Sequence, residues 1–256
     1  MINVLTNLKL INTDSLFLHE PTEQLRLDRI STSIEKEGII RNPLMATPLE
    51  GNKYLILDGA HRTAALKKLG CKRVPVQIVQ PAHFQLFAWD HIVPLGEWLQ
   101  QLYKIPNLTW SSEAPQDDSL IATSVNANGT VHYAFADFIY TEEEKLDIWC
   151  QLVESYSQRH SVKRLPNGEC LYPQESFILL RYSAYTLDTL KRRVLNKKTF
   201  PAGVTRFLIN GRLLNLSIPL EILISETLNK KEWDQLLERF ESKIRLYSES
   251  IYLCEA

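Results

Sequence analysis

The chain has 256 residues, of which 45% are hydrophobic and 23% are charged, an ordinary globular composition with enough apolar residues for a core of normal size. Lysine and arginine total 29 against 30 aspartates and glutamates, so the net charge is close to zero. This balance argues against a dedicated nucleic-acid binder, which normally carries a basic excess. The densest basic cluster, from Lys191 to Lys198, falls in a helical pattern and is interpreted as a solvated helix face.

The cysteines point to a reducing compartment. Cys71, Cys150, Cys170 and Cys254 show no CxxC spacing and no zinc pattern. Cys71 and Cys150 have apolar neighbours, which is typical of small core residues. The N-terminus has no basic segment followed by an apolar stretch, and no apolar run reaches about 18 residues. We therefore expect a cytoplasmic protein with reduced thiols and no membrane partner.

The first part of the chain alternates short strands with helices. Its pattern predicts a helix that opens at Pro21, since proline is tolerated in a first helical turn. Apolar residues recur there at three- and four-residue spacing, and Gly38 ends the helix. Two strands follow over residues 44–47 and 54–57, with a turn at residues 50–52 between them.

A second helix and a strand complete this region. The helix starts directly after Asp58 and Gly59 and is closed by Gly70. The strand covers residues 74–79. Because Pro75 has no backbone N–H, it predicts an edge strand or a position at the strand start.

The remainder of the chain mixes hairpins with helices. A turn signal at residues 126–129 predicts one hairpin, and Thr141 is expected to cap a helix with an acidic first turn. A second hairpin is predicted around residues 210–211, between strands over 206–209 and 213–217. Strands and helices do not alternate in a regular βαβ rhythm, so the predicted fold class is mixed α/β (α+β) rather than doubly wound.

The segment from residue 55 to residue 66 carries the clearest chemical signal. A strand ends in the carboxylate of Asp58, Gly59 allows a tight turn, and a helix starts at once. Exposed N–H groups and the positive end of the helix dipole form an anion site there. His61 and Arg62 add side-chain donors, and arginine suits bidentate phosphate contact. Phosphate binding is favoured over the simpler alternative, in which Asp58 only caps the helix.

This corner resembles the D-G-x-H-R signature of the ParB/sulfiredoxin-like superfamily, over about residues 8–80. Sulfiredoxins place a cysteine directly before the His-Arg pair, whereas this chain has Ala60, which argues against sulfinic reductase activity. ParB partition proteins combine an arginine-rich nucleotide motif with a helix-turn-helix DNA-binding domain. Neither feature follows here, so the ParB branch is disfavoured.

The third branch is the free L-serine kinases, and here the resemblance extends over nearly the whole chain. It implies a ParB/sulfiredoxin-like nucleotide-binding domain over residues 1–82 and an α/β substrate-binding and capping domain over residues 83–256. The segments that carry it, beyond the corner, are Leu18-His19-Glu20, Leu25-Arg26-Leu27, Leu69-Gly70-Cys71-Lys72, Val74-Pro75-Val76-Gln77, Trp89 with His91, Val93-Pro94, Pro201-Ala202-Gly203-Val204-Thr205-Arg206-Phe207, Asn210-Gly211-Arg212, Leu214-Asn215-Leu216 and Tyr252-Leu253.

The resemblance also implies roles for the residues at the matching positions. Glu20 would be the general base that takes the proton of the serine hydroxyl, because an alcohol is a weak nucleophile until its proton is accepted. Asp58 would assist, either by orienting the hydroxyl or as a tentative magnesium ligand. Ser33 would contact the substrate or product, although a helix-surface serine is the equal alternative. The residues that would hold the phosphates are Gly59, Ala60, His61, Arg62 and Thr63.

A further group would bind the amino acid. Gly203 can adopt a positive φ and bring the chain close to a ligand. After it, Arg206 would bind the serine carboxylate and Thr205 would add a hydroxyl contact. Trp89 and His91 lie in a block that resembles the substrate side of the family's site. For both, a structural role in the core is the equal alternative.

The resulting hypothesis is phosphorylation of free L-serine to O-phospho-L-serine with Mg²⁺ and either ATP or ADP. The product would supply a siderophore (staphyloferrin B-like) or cysteine-type pathway through an O-phosphoserine-using synthase. The alternative is a nucleotide- or ligand-sensing transcription regulator of a siderophore operon. DNA remains a disfavoured partner, because the composition shows no basic excess.

Overall fold

The computed structural model describes residues 4–116, 119–136, 141–169 and 171–246. Cys170, Cys254 and the Tyr252-Leu253 segment lie outside these ranges. Within them the chain divides into two compact units. The first comprises Met1–Phe17, Thr22–His83 and Ile209–Ala256, and the second comprises Leu18–Pro21 and Phe84–Leu208.

The chain begins with the amino-terminal elements of the first unit and continues through those of the second. In the first unit these are β1 (Leu8–Asn12), β2 (Leu16–Phe17), α1 (Gln24–Glu37), β3 (Ile39–Ile40), β4 (Leu44–Pro48), β5 (Tyr54–Asp58), α2 (Ala60–Lys68) and β6 (Arg73–Ile78). The second unit contains β7 (Phe84–Pro94), α3 (Trp98–Leu102), β8 (Leu108–Ser111), β9 (Leu120–Val125), β10 (Val131–Ala136), α4 (Glu142–Ser157), β11 (Lys163–Pro166), β12 (Phe177–Tyr182), α5 (Leu187–Leu195) and β13 (Thr205–Ile209). The chain then returns to the first unit with β14 (Ile218–Pro219), α6 (Leu220–Ile224) and α7 (Lys230–Glu241).

The first unit is built on a mixed sheet with the strand order β1-β6-β4-β5-β2 among the described residues. The β6–β4 and β5–β2 pairs are parallel, and the β1–β6 and β4–β5 pairs are antiparallel. Its core is formed by side chains that are fully buried on three strands and on α2. They include Leu44, Leu55, Ile56, Leu66 and Val76.

The second unit is built on an antiparallel sheet with the order β11-β7-β12-β9-β10-β8, and β13 also pairs with β7. Helix α4 supplies buried residues such as Leu152, Val153 and Tyr156, and β12 supplies Leu179 and Leu180. The predicted cap of α4 is confirmed, because the Thr141 hydroxyl accepts from the Glu144 N–H and the Glu144 side chain closes a full capping box. The hairpin at residues 126–129 is also confirmed.

The mixed α/β fold class predicted from the sequence is confirmed, but two local predictions are wrong. Of the two positions that Pro75 predicted, an edge strand or a strand start, the edge is wrong, because β6 has neighbours on both sides. Pro75 is tolerated because pairing with β4 begins one residue later, at Val76. The predicted hairpin around residues 210–211 is absent, since residues 212–217 form no strand in the structure. Asn215 and Ser217 have positive φ, at 56° and 57°, which interrupts an extended chain.

The last part of the chain, from Ile209 onward, belongs to the first unit. The compact units therefore differ from the sequence-based boundaries 1–82 and 83–256. Strand β14 pairs with β3 of the first unit. The Lys72 N–H donates to the Leu223 carbonyl at 3.0 Å, and the Leu216 N–H donates to the Arg41 carbonyl at 2.7 Å. The second unit is therefore largely an insertion between β6 and the last part of the first unit.

Two further expectations are corrected by packing. Helix α1 begins at Gln24 rather than at Pro21, after an extended N-cap at Glu23. The basic cluster on α5 is not solvated throughout, because Arg193 is only 3% exposed. Its guanidinium contacts Glu143 at 2.5 Å and Asp147 at 2.8 Å, as expected for a buried cation that must be paired.

Candidate active site

The corner between β5 and α2 has the geometry expected of a phosphate site. Gly59 is the N-cap of α2 with φ of 100°, and a Cβ at this position would lie 2.7 Å from Leu44 Cδ2. Only glycine fits both restrictions. The buried Thr63 closes the turn, because its hydroxyl donates to the Gly59 carbonyl at 2.9 Å. The N–H groups of a first helical turn have no acceptor within the helix and can bind an anion.

Asp58 lies at the rim of this corner between two guanidinium groups. Its Oδ2 contacts Arg62 Nη2 at 3.0 Å and Arg212 Nη1 at 3.1 Å. Arg62 also donates from Nη1 to the carbonyls of Asn42 at 2.8 Å and Pro43 at 3.1 Å. Arg62 therefore fixes the loop before β4 against the corner, and the charge of Asp58 is compensated from both sides.

His61 links the corner to α1. Its Nε2 accepts the Glu23 backbone N–H at 3.0 Å. A ring nitrogen that accepts a hydrogen bond carries no proton in that contact. Ser33 lies on the exposed surface of α1, where its hydroxyl donates to Glu37 at 3.1 Å. Ser33 and all six residues from Asp58 to Thr63 thus belong to the first unit.

The other candidate residues belong to the second unit, where Gly203 is the common contact. The Gly203 N–H donates to Glu20 Oε2 at 2.9 Å. Its carbonyl accepts from His91 Nε2 at 3.1 Å. Gly203 has φ of 80°, so the backbone that binds Glu20 is in the left-handed region that favours glycine.

His91 is buried, and both of its ring nitrogens contact protein atoms. Because a carbonyl can only accept, Nε2 donates to Gly203, and Nδ1 accepts from the Tyr156 hydroxyl at 2.6 Å. The Tyr156 oxygen then accepts from the Tyr182 hydroxyl at 2.6 Å. Burial lowers the pKa of His91 from 6.5 to about 4. These contacts give His91 a structural role in supporting the Gly203 backbone.

Arg164 is an exposed residue of β11 that the sequence analysis did not identify. It pairs across the strands with His91. A Cβ added to Gly203 would lie 2.0 Å from its Nη2 and 2.3 Å from its Cζ. The guanidinium of Arg164 therefore occupies the space beside Gly203 that any other residue would need.

Arg206 and Thr205 follow on β13. The Arg206 guanidinium lies over the Trp89 ring, 4.8 Å from its centroid, and 5.9 Å from that of Phe87. Stacking on these rings orients its planar face. The Thr205 hydroxyl is hydrogen-bonded to the Tyr185 hydroxyl.

The segment that contains Glu20 is held by aromatic packing. Tyr185 stacks on Phe200 with ring centroids 4.2 Å apart. The Phe200 N–H donates to the His19 carbonyl at 2.7 Å, and the His19 ring packs edge-on against Phe207 at 5.4 Å. These contacts fix the backbone directly before Glu20.

Among the described residues, no three His, Cys, Asp or Glu side chains are grouped as a metal site. Asp58 is a single half-exposed carboxylate, and both of its ion pairs use Oδ2. That suits a Mg²⁺ ion bound mainly by nucleotide phosphates, which needs only one or two protein carboxylates. No helix in the described ranges is both long and apolar enough to span a bilayer.

Comparison with known proteins identifies the family. Residues 6–90 match the model of the ParB N-terminal domain. The chain is 35% identical over 262 residues to the ATP-dependent L-serine kinase SbnI of Staphylococcus aureus, covering all of both chains. The solved structure of C-terminally truncated SbnI matches with a TM-score of 0.84 at 34% identity, covering 93% of this chain and 99% of that one.

A free serine kinase variant in complex with AMP has the same fold, with a TM-score of 0.68 at 20% identity over 85% of this chain and 94% of that one. Residues 6–90 thus place the chain in the class of proteins that carry a ParB N-terminal domain. Within that class, the chain belongs to the L-serine kinase family that includes SbnI.

Proposed function

We propose that the protein transfers the γ-phosphoryl group of ATP to free L-serine and forms O-phospho-L-serine. The observation that carries this proposal is the β5–α2 corner, where Gly59, the first turn of α2 and two arginines surround Asp58. The full-length similarity to a protein named as an ATP-dependent L-serine kinase supports serine as the acceptor and ATP rather than ADP as the donor.

The corner would bind the nucleotide phosphates. The first-turn N–H groups of α2 supply donors, and Gly59 lets the phosphate approach the backbone. Asp58 would hold Mg²⁺, which neutralises phosphate charge when it is bound with the nucleotide. Ala60 and Thr63 are buried, so they maintain the shape of the turn, while His61 and Arg62 fix it to neighbouring loops.

Glu20 would accept the proton of the serine hydroxyl. The serine oxygen then forms a bond to the γ-phosphorus while the bond from phosphorus to the bridging oxygen breaks and ADP leaves. The Gly203 N–H fixes Glu20 Oε2, and the second carboxylate oxygen remains available to take the proton. His91 would act through Gly203 as a positioning residue rather than by touching serine.

The charges of the amino acid also need partners. Arg206 would bind the serine carboxylate, with Trp89 orienting its guanidinium. Thr205 would add a hydroxyl contact, and Ser33 would contribute a further hydroxyl. The product is a phosphate monoester of serine, and an O-phosphoserine-using synthase of a siderophore or cysteine-type pathway would consume it.

A phosphorus NMR assay tests the proposal directly. The purified chain is incubated with Mg²⁺, L-serine and either ATP or ADP, with samples lacking serine as controls. We expect a serine phosphate monoester signal that grows with ATP as the ATP γ-phosphate signal falls. Nucleotide binding without product from either donor would contradict the kinase and favour a nucleotide-sensing regulator instead.

A further inference from the structure

Arg212 reaches the phosphate corner from a distant part of the sequence. It lies in the loop before β14, and its Nη1 contacts Asp58 Oδ2 at 3.1 Å although 154 residues separate the two. Its side chain is 38% exposed. The Asp58 contact is its one hydrogen bond found among the described residues, so most of its donors remain available at the corner.

Arg62, the arginine of the D-G-x-H-R motif, uses more of its hydrogen-bond donors than Arg212 does. Arg62 donates to Asn42, Pro43 and Asp58, and its side chain is 23% exposed. Two of these acceptors are backbone carbonyls of the loop before β4. Arg62 is therefore committed to the shape of the corner, and Arg212 has the freer guanidinium.

The loop that carries Arg212 is rigidly supported on both sides of that residue. Gln77 lies on the interior strand β6 and is only 4% exposed. Its Nε2 donates to the Gly211 carbonyl at 2.8 Å, and its Oε1 accepts the Leu213 N–H at 2.9 Å. Both hydrogen-bonding groups of this buried amide are thus used to hold the residues before and after Arg212.

From this geometry we infer that Arg212 binds the terminal phosphates of the nucleotide, exchanging the Asp58 carboxylate for phosphate oxygens when nucleotide is present. A guanidinium pairs with carboxylate and phosphate in the same bidentate way, so the exchange keeps the arginine paired throughout. The exchange also releases Asp58 from one of its two ion pairs when the phosphates arrive, so that the carboxylate is free to hold Mg²⁺. The inference rests on the proposed use of a nucleotide but does not depend on serine being the acceptor.

Binding calorimetry with ATP, ADP and AMP tests this role. In Arg212→Ala we expect ATP affinity to fall about 10-fold or more, from the loss of a charge-assisted contact, while AMP affinity stays within about two-fold. Arg212→Lys should recover part of the ATP affinity, since lysine keeps the charge and loses the fork. Arg41→Ala is the matched control, because Arg41 is an exposed arginine of the same unit whose side chain pairs with Glu37 rather than with Asp58.

A second variant tests whether Arg212 needs the hydrogen bonds from Gln77 that hold its loop. Gln77→Met leaves Arg212 in the chain but removes both hydrogen bonds to its loop, so selective weakening of ATP over AMP should appear in it too. Unchanged ATP affinity in Arg212→Ala, or equal losses for ATP and AMP, would overturn the inference. If the wild type forms no O-phosphoserine but Arg212→Ala still loses ATP selectively, the kinase proposal fails and the role of Arg212 stands.

Discussion

Asp58 and Glu20 are two candidate functional carboxylates that are held in opposite ways. Asp58 contacts two guanidinium groups through one oxygen. Glu20 accepts one backbone N–H, and none of the described residues forms an ion pair with it. The two guanidinium groups compensate the negative charge of the Asp58 carboxylate. Glu20, bound by a neutral N–H donor, has no such compensation, and this contrast supports the proposed anchor role of Asp58 and the proposed base role of Glu20.

The largest effect on activity is expected from removing the charge of Glu20. Glu20→Gln keeps an oxygen that can accept the Gly203 N–H but cannot take a proton. We expect kcat to fall by about 10²–10⁴-fold, the usual contribution of a general base, with ATP affinity unchanged by calorimetry. Glu23→Gln is the control, because the Glu23 side chain does not cap α1. An active Glu20→Gln protein would show that another group takes the proton.

A smaller effect is expected from a change at Gly203, whose backbone N–H binds Glu20. Gly203→Ala forces a Cβ into the Arg164 guanidinium, 2.0 Å from Nη2, at φ of 80°. The exposed end of the Arg164 side chain can move away, but the alanine also strains the left-handed backbone whose N–H binds Glu20, and a displacement of about 1 Å there can cost about 10²-fold in rate. We expect kcat to fall by about that factor in steady-state assays, with little change in nucleotide affinity.

Gly168→Ala is the control for backbone strain at Gly203. Its φ is 88°, and nothing lies within 4 Å of the added Cβ. Both alanines therefore carry similar left-handed strain of about 1–2 kcal/mol, but only Gly203→Ala places that strain at the N–H that binds Glu20. Equal activity losses in the two variants would show that strain, rather than the Glu20 contact, explains the effect.

The smallest expected effect is on stability against pH. The folded pKa of His91, about 4, lies below its ordinary value of 6.5, so the unfolded chain binds the proton more readily. The stability that the neutral His91 contributes to the fold is complete above pH 6.5. It is lost as the pH falls towards 4, by about 3 kcal/mol at most. Melting temperatures measured between pH 7 and pH 4.5 should fall more steeply in the wild type than in His91→Gln.

The neighbouring Asp90 changes the stability with pH in the opposite direction, because burial raises the pKa of its carboxyl. It is present in both proteins, so the difference between their melting curves isolates His91. Parallel curves for the wild type and His91→Gln would contradict the buried, neutral imidazole.

The two carboxylates also differ in how far the sequence could predict their surroundings. Asp58, Gly59 and Arg62 are nearly consecutive, and local turn chemistry was enough to locate the corner. The partner of Glu20 is 183 residues away in the chain, and no local pattern marks it. Arg212 was assigned to a hairpin turn because its loop resembles one locally, whereas a buried glutamine on β6 decides its conformation.

The Gln77 contacts have a consequence for synthesis on the ribosome. Gln77 is translated 136 residues before Leu213, one of its two partners. At ordinary elongation rates the nascent chain waits roughly ten seconds between the two. During that interval residues 84–208 of the second unit are synthesised, while β6 carries an amide whose partners do not yet exist. The inserted unit can therefore finish folding first, and the unit that starts the chain is the last to be completed.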